Sequence, residues 1–187
     1  ICNANTLVRS ARSSDIADLI NNFTIKAPDG FPVAKALSIL TKQNFPRVDG
    51  YKVFLQTISD GLDKNRSHYF FGNDELTTKL MIEKLKKVYP EIQIKGYICP
   101  EILNSDQLAE KYIDVLKNIN ADIVWVSLGF PKQEMFIDTV CKSKNINSNF
   151  IGIGGVFEWV AETKKKAPEW LANIGFEWLL RLAQDPK

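Results

Sequence analysis

Four short apolar runs dominate the chain: "HYFFG" (68–72), "IQIKGYI" (92–98), "DIVWVSLG" (122–129) and "NFIGIGG" (149–155). Between them lie helical patterns over 74–88, over 105–118 and in "KQEMFIDTVCKSK" (132–144). Strands covered on both faces read as near-continuous apolar runs, and a helix between successive strands forces a parallel crossover. The pattern therefore predicts an α/β, Rossmann-like fold: a mainly parallel sheet with helices on both faces. Upstream, residues 4–22 read as helix, broken near Ser13 and Ser14, and "FTIKA" (23–27) as a short strand. "FPVAKALSILTK" and "YKVFLQTISDGLDK" add two helices, and "APEWLANIGFEWLLRLA" closes the chain with another. In the 74–88 helix, Leu76, Leu80, Ile82 and Leu85 are read as the apolar side.

No internal repeat or linker interrupts the 187 residues, so one domain, 1–187, is expected. "ICNAN" resembles the end of a strand already under way, and native sequence is expected to precede it. A net charge of +2 is too small to attract nucleic acid by bulk electrostatics. No apolar run reaches the ~18 residues of a membrane span, and no signal-peptide pattern opens the chain. Cys2, Cys99 and Cys141 are odd in number and far apart, which suits reduced thiols in a cytosolic compartment rather than disulfides or a zinc site. His68 is the sole histidine, so Ser-His-Asp triads and His-based metal sites are excluded. It is expected at a loop or strand edge.

Parallel α/β sheets bind ligands beyond the carboxyl ends of their strands. "PDG", "FFGN", "LGFPKQE" and "GIGG" each follow a predicted strand and should converge on one rim. Asp29, between Pro28 and Gly30, is either a turn aspartate or a carboxylate able to act as general base. Gly152, Gly154 and Gly155 make either a tight turn or a backbone approach to a diphosphate or sugar. Neither a GxGxxG fingerprint nor a GxxxxGK[ST] loop is present. After Gly129, Pro131 suits the first helical position, and Lys132 and Gln133 would meet an anionic or polar ligand at that helix start. Plain capping is the competing explanation, and Glu134 in the first turn fits it. Arg47 is a surface turn residue or an oxyanion partner. "TKKKAPEW" is a solvated basic turn or, with Trp159, Trp170, Leu171, Ile174, Trp178, Leu179 and Leu182, an anionic-membrane contact; a core-packed helix is the commoner outcome.

"PDGFPVAKAL", "RVDG", "FFGNDE", "SLGFPKQEMFI", "GIGGVFEWVAETKKKAPEWL" and "GFEWLLRLAQDP" stand in an order and spacing that resembles the WecG/TagA/CpsF glycosyltransferases, bacterial enzymes of cell-envelope polysaccharide and teichoic acid synthesis. The resemblance covers nearly the whole chain. It implies an inverting transfer of N-acetylmannosamine, or a related sugar, from a UDP-sugar to N-acetylglucosamine on undecaprenyl diphosphate. It further implies Asp29 as the base, and Asn3, Arg47, Gln133 and the Gly152–Gly155 turn as substrate contacts. No Asp-x-Asp motif occurs, and neither metal nor other cofactor is expected; Arg47, Lys132, helix N-termini and glycine amides would stabilise departing UDP.

This sequence departs from the family pattern at several positions. Ile1 stands for a threonine, Glu158 for an aspartate, Glu162 for a glycine and Lys166 for an arginine. Family members usually continue past "AQDPK" into an arginine-bearing tail thought to close the site and dock on the membrane. The expected setting is the inner face of the cell membrane, with the protein peripheral to it; members of the resembled family often self-associate, and a homo-oligomer is left open. Two alternatives remain open: another UDP-sugar donor (glucosyl or glucuronosyl), or a nucleotide-binding domain without catalysis.

Overall fold

The structure, a computed structural model, describes residues 1–143, 145–169 and 171. Four parallel strands form the sheet among these residues: β1 (Ser67–Gly72), β2 (Gln93–Ile98), β3 (Ile123–Ser127) and β4 (Asn149–Gly152), in the order β2-β1-β3-β4. Helices α1 (Ala4–Arg12), α2 (Ser14–Asn21), α3 (Phe31–Thr41) and α4 (Gly50–Gly61) precede the sheet. Helices α5 (Glu75–Val88), α6 (Ser105–Asn118), α7 (Lys132–Cys141) and α8 (Val156–Ala161) connect or follow its strands.

Side-chain alternation explains why the strands must be apolar throughout. Phe70 and Trp125 face one way and pack with Phe54, Ile58, Met81, Leu85, Val156 and Phe157 from α4, α5 and α8. Tyr69, Phe71, Val124 and Val126 face the other way, onto Leu108, Leu116, Phe136, Ile137 and Val140 from α6 and α7. Burial on both faces supplies the main driving force for the three-layer arrangement.

Local signals set the boundaries. The Ser13 hydroxyl accepts from the Ile16 amide and starts α2, which fixes the break between α1 and α2. Asp74 caps α5 through Thr77, and Asn104 and Gln107 form a capping box on α6.

Three readings are corrected and one element is added. "FTIKA" does not form a strand: Lys26 Nζ curls back to the Asn21 and Phe23 carbonyls, and pairing begins only at Pro28 and Asp29. Leu76 is 67% exposed, because α5 buries its Thr77, Thr78, Met81 and Leu85 face instead. His68 sits inside the central strand β1, fully buried, where its Nδ1 accepts from Trp125 Nε1 at 3.1 Å. Helix α8 is an addition to the predicted elements; its Val156, Phe157, Val160 and Ala161 side is buried. The closing helix, with Trp170, Ile174, Trp178, Leu179 and Leu182, lies outside the described residues.

Candidate active site

The chain runs from β1 to β2 on one side, then returns past β1 to place β3 on the other. This reversal puts the topological switch point between β1 and β3, the position where such sheets open to ligands at their carboxyl ends. There, Gly72 has φ +120°, and any side chain on it would run into the Ser127 carbonyl. The Asn73 amide donates to that same carbonyl at 3.0 Å. Ser127 Oγ in turn donates to the Gly154 carbonyl at 2.6 Å, joining the ends of β3 and β4.

Beside these loops stands a ribbon of three short segments. Cys2 bridges Pro28, and Asp29 bridges Val48, both in parallel. Backbone bonds from Cys2 N to Ala27 O, Asp29 N to Cys2 O and Val48 N to Pro28 O, at 2.8–2.9 Å, hold it. Adjacent strands lie ~4.8 Å apart, so this ribbon brings the backbones of Asn3, Asp29 and Arg47 together at one edge.

Asn3 Oδ1 caps α1 by accepting from the Thr6 amide at 3.1 Å. Asp29 is half-buried ahead of Gly30, the residue preceding α3. Arg47 Nη2 donates to Asp49 Oδ2 at 3.1 Å, and Lys166 Nζ reaches the same oxygen at 2.6 Å. Burial alone would raise the Asp49 carboxyl, but Lys166, the Tyr51 amide and Arg47 outweigh it and hold the group below the usual range. Nη1 of Arg47 is buried and has no hydrogen-bond partner among the described residues.

The ribbon lies against the sheet loops. The Arg9 guanidinium lies 5.7 Å from the centre of the Phe130 ring, and the Ile1 and Val156 side chains both flank Gly50. Burial pushes the Cys2 thiol up, with the charges of Glu134 and Asp29 acting in the same direction and that of Lys26 against them.

Within "PKQE", Pro131 stands just before α7 and Lys132 is its first residue, half-buried. The Gln133 amide N–H donates to the Gly129 carbonyl at 2.9 Å, and Gly129 itself is exposed. The Gln133 side chain points inward, only 4% exposed, with both amide atoms engaged by the protein. Gly152 packs on that side chain, Gly155 on Glu158 Oε2, and Gly154 (φ +56°) leaves open space where a side chain would stand.

Two groupings result: Asn3, Asp29 and Arg47 on the ribbon, and Gly129, Lys132, Gln133, Gly152, Gly154 and Gly155 around α7 and the β4 loop. Asp49, Lys166 and Ser127 are organising residues that the sequence reading misses. An aspartate directly ahead of a helical pattern is an N-cap signal, and Asp49 caps α4. At the opposite, amino end of the strands lies an open polar depression of about 420 Å³, lined by Asn65, Ser67, Gln93, Lys95, Asn120 and Asp122. Asp122 is fully occupied there by Ser67 and Arg66. Among the described residues, no three His, Cys, Asp or Glu side chains are grouped to hold a metal ion. No helix among them is long and apolar enough to cross a membrane.

A parallel, helix-covered sheet with polar loops gathered beyond its carboxyl ends defines a single Rossmann-like α/β domain. This chain belongs to the glycosyl transferase WecG/TagA/CpsF family, whose model matches residues 1–187. It is 29% identical over 178 residues to an N-acetylglucosaminyldiphosphoundecaprenol N-acetyl-beta-D-mannosaminyltransferase of Bacillus subtilis (strain 168), covering 94% of this chain and 66% of the relative. Proteins of the same description from Bacillus spizizenii and Staphylococcus aureus (strain MW2) are each 28% identical, over 85% and 91% of this chain and 60% and 65% of theirs. The chain therefore spans slightly less than two thirds of the length of these curated relatives.

Proposed function

We propose that this chain is the catalytic core of a glycosyltransferase that moves N-acetylmannosamine, or a related sugar, from a UDP-sugar to N-acetylglucosamine on undecaprenyl diphosphate. The observation that carries the reading is the ribbon, which sets Asp29 beside Arg47 and Asn3 at one edge, with the Ile1 and Val156 side chains meeting at Gly50 close by. The relatives' names supply the acceptor and the sugar.

In this reading the Asp29 carboxylate takes the proton of the acceptor hydroxyl. That oxygen forms a bond to the anomeric carbon as the carbon–oxygen bond to UDP breaks, and UDP leaves with the electron pair. A single displacement of this kind inverts the anomeric centre. Arg47, whose buried Nη1 has donor capacity to spare, Lys132 and the amides of the Gly152–Gly155 turn would meet the charge growing on the diphosphate. No step in this scheme needs a metal. Work at a lipid-linked acceptor would place the protein on the inner face of the cell membrane.

The test is a radiolabel screen with the full-length protein, offering several UDP-sugars with a short-chain polyprenyl-diphosphate-N-acetylglucosamine acceptor. Label transferred from UDP-N-acetylmannosamine supports the proposal. Transfer only from a glucosyl or glucuronosyl donor replaces the sugar, and UDP binding without transfer from any donor favours a non-catalytic nucleotide-binding domain.

A further inference from the structure

We propose that Glu134 is a positioning residue whose buried carboxylate sets the orientation of the Gln133 amide, and through it the shape of the Gly152–Gly155 turn that receives the donor. The inference rests on the reading of that turn as part of a UDP-sugar site. Its geometric half stands independently.

A glutamate serving only the helix dipole would sit in water at the first turn of α7. Glu134 is instead 7% exposed, and its Oε2 is buried with no hydrogen-bond partner among the described residues. Burial pushes its carboxyl up, opposed by hydrogen bonds from Gln133 and from its own backbone amide. A group kept in so costly a position needs a reason beyond capping.

The reason lies in polarity. Gln133 Nε2 donates to Glu134 Oε1 at 2.7 Å, and Gln133 Oε1 accepts from the Gly154 amide at 3.1 Å. A carboxylate can only accept and a backbone N–H can only donate, so one amide orientation satisfies both partners. Turning the amide over would set oxygen against oxygen and N–H against N–H. The fit is also tight: a Cβ on Gly152 would lie 3.0 Å from Nε2 and 3.1 Å from Cδ of Gln133. Meanwhile Ser127 Oγ holds the Gly154 carbonyl at 2.6 Å. Both backbone polar groups of Gly154 are thus fixed by side chains, its N–H from α7 and its carbonyl from β3, while its open side stays clear. Such a turn is pre-shaped before any ligand arrives, which spares the ligand that ordering cost.

The test compares wild type with Glu134→Gln in the full-length protein. The variant is nearly the same shape, yet its NH2 group can face the Gln133 oxygen, so one of the two contacts that oppose turning over is removed and only the Gly154 N–H still holds the amide. Amide hydrogen exchange at Gly154, read by NMR without ligand, should rise by about tenfold, while Ile153, bonded to the Val126 carbonyl, keeps its protection. UDP affinity should fall by about tenfold. The double exchange Gln133→Glu with Glu134→Gln should restore Gly154 protection. It moves the carboxylate to position 133 and the carboxamide to position 134, so the carboxylate can accept from both the Gly154 amide and the relocated NH2 group. Unchanged Gly154 exchange in Glu134→Gln, a parallel rise at Ile153, or no restoration in the double variant overturns the coupling. Altered exchange with unchanged UDP affinity overturns the role in donor binding. A wild-type protein that binds no UDP sinks the donor reading, and the exchange arm still decides the coupling.

Discussion

Acidification from about pH 7 to about pH 5 should remove about 2 kcal/mol of folding stability through His68 alone. The imidazole is buried in β1, and its Nδ1 accepts the Trp125 indole N–H, so the neutral ring carries its proton on Nε2. Charging the ring would put a second N–H against that of Trp125, in an apolar core. Burial accordingly lowers His68 from 6.5 to about 4, although the Asp122 carboxylate pulls the other way. Between those values the unfolded chain binds a proton that the native protein refuses. The stabilisation is therefore present above pH 6.5 and is lost as the pH falls toward 4. In full it amounts to about 3 kcal/mol, of which about 2 is gone by pH 5. Asp49 and Asp122, both held low, stay ionised in this window, and Glu134, pushed up, works in the opposite direction. Urea unfolding followed by tryptophan fluorescence across the range, in wild type and in His68→Asn, isolates the effect. Asparagine can still accept from Trp125 but does not titrate, so the variant should lose less stability with acid. Equal pH slopes in the two proteins would refute the reasoning.

Other consequences concern the site and its supports. Gly72→Ala, with φ +120° and the Ser127 carbonyl in its way, should cost about 3 kcal/mol, seen as a lower urea midpoint; an unchanged midpoint would contradict the close approach of β1 and β3 ends. Asp49→Asn should cost about 3 kcal/mol, because it leaves Arg47 and Lys166, both mostly buried, around a neutral acceptor. Restoration of that stability by adding Lys166→Met would support the charge account, and its absence would count against it. Addition of a chelator should leave transfer activity unchanged; a strict need for manganese or magnesium would refute the metal-free scheme.

What the sequence discloses and what it hides divide by the range of the interaction. Helix α6 falls on residues 105–118 as read, since its capping box and apolar period lie within the segment itself. The break at Ser13 is legible for the same reason: its hydroxyl needs only Ile16. Most of the unforeseen features depend on distant partners. Asp49 and Lys166 are 117 positions apart, and nothing near Lys166 marks it as the cation on a buried aspartate. His68 reads as a loop or strand-edge residue because its partner, Trp125, belongs to another strand. Glu134 reads as a capping residue because first-turn acids usually are, and only the fold shows it buried on Gln133. "FTIKA" has strand propensity, but among the described residues only its last carbonyl, that of Ala27, meets a neighbouring segment, and propensity alone does not make a strand.

The direct test of Asp29 as the base is transfer of labelled N-acetylmannosamine by the full-length protein carrying Asp29→Asn, measured beside its UDP affinity. The account predicts that transfer falls by orders of magnitude while UDP binds nearly as in wild type, because the substitution removes the proton acceptor and leaves the diphosphate contacts in place. Undiminished transfer by Asp29→Asn would contradict it.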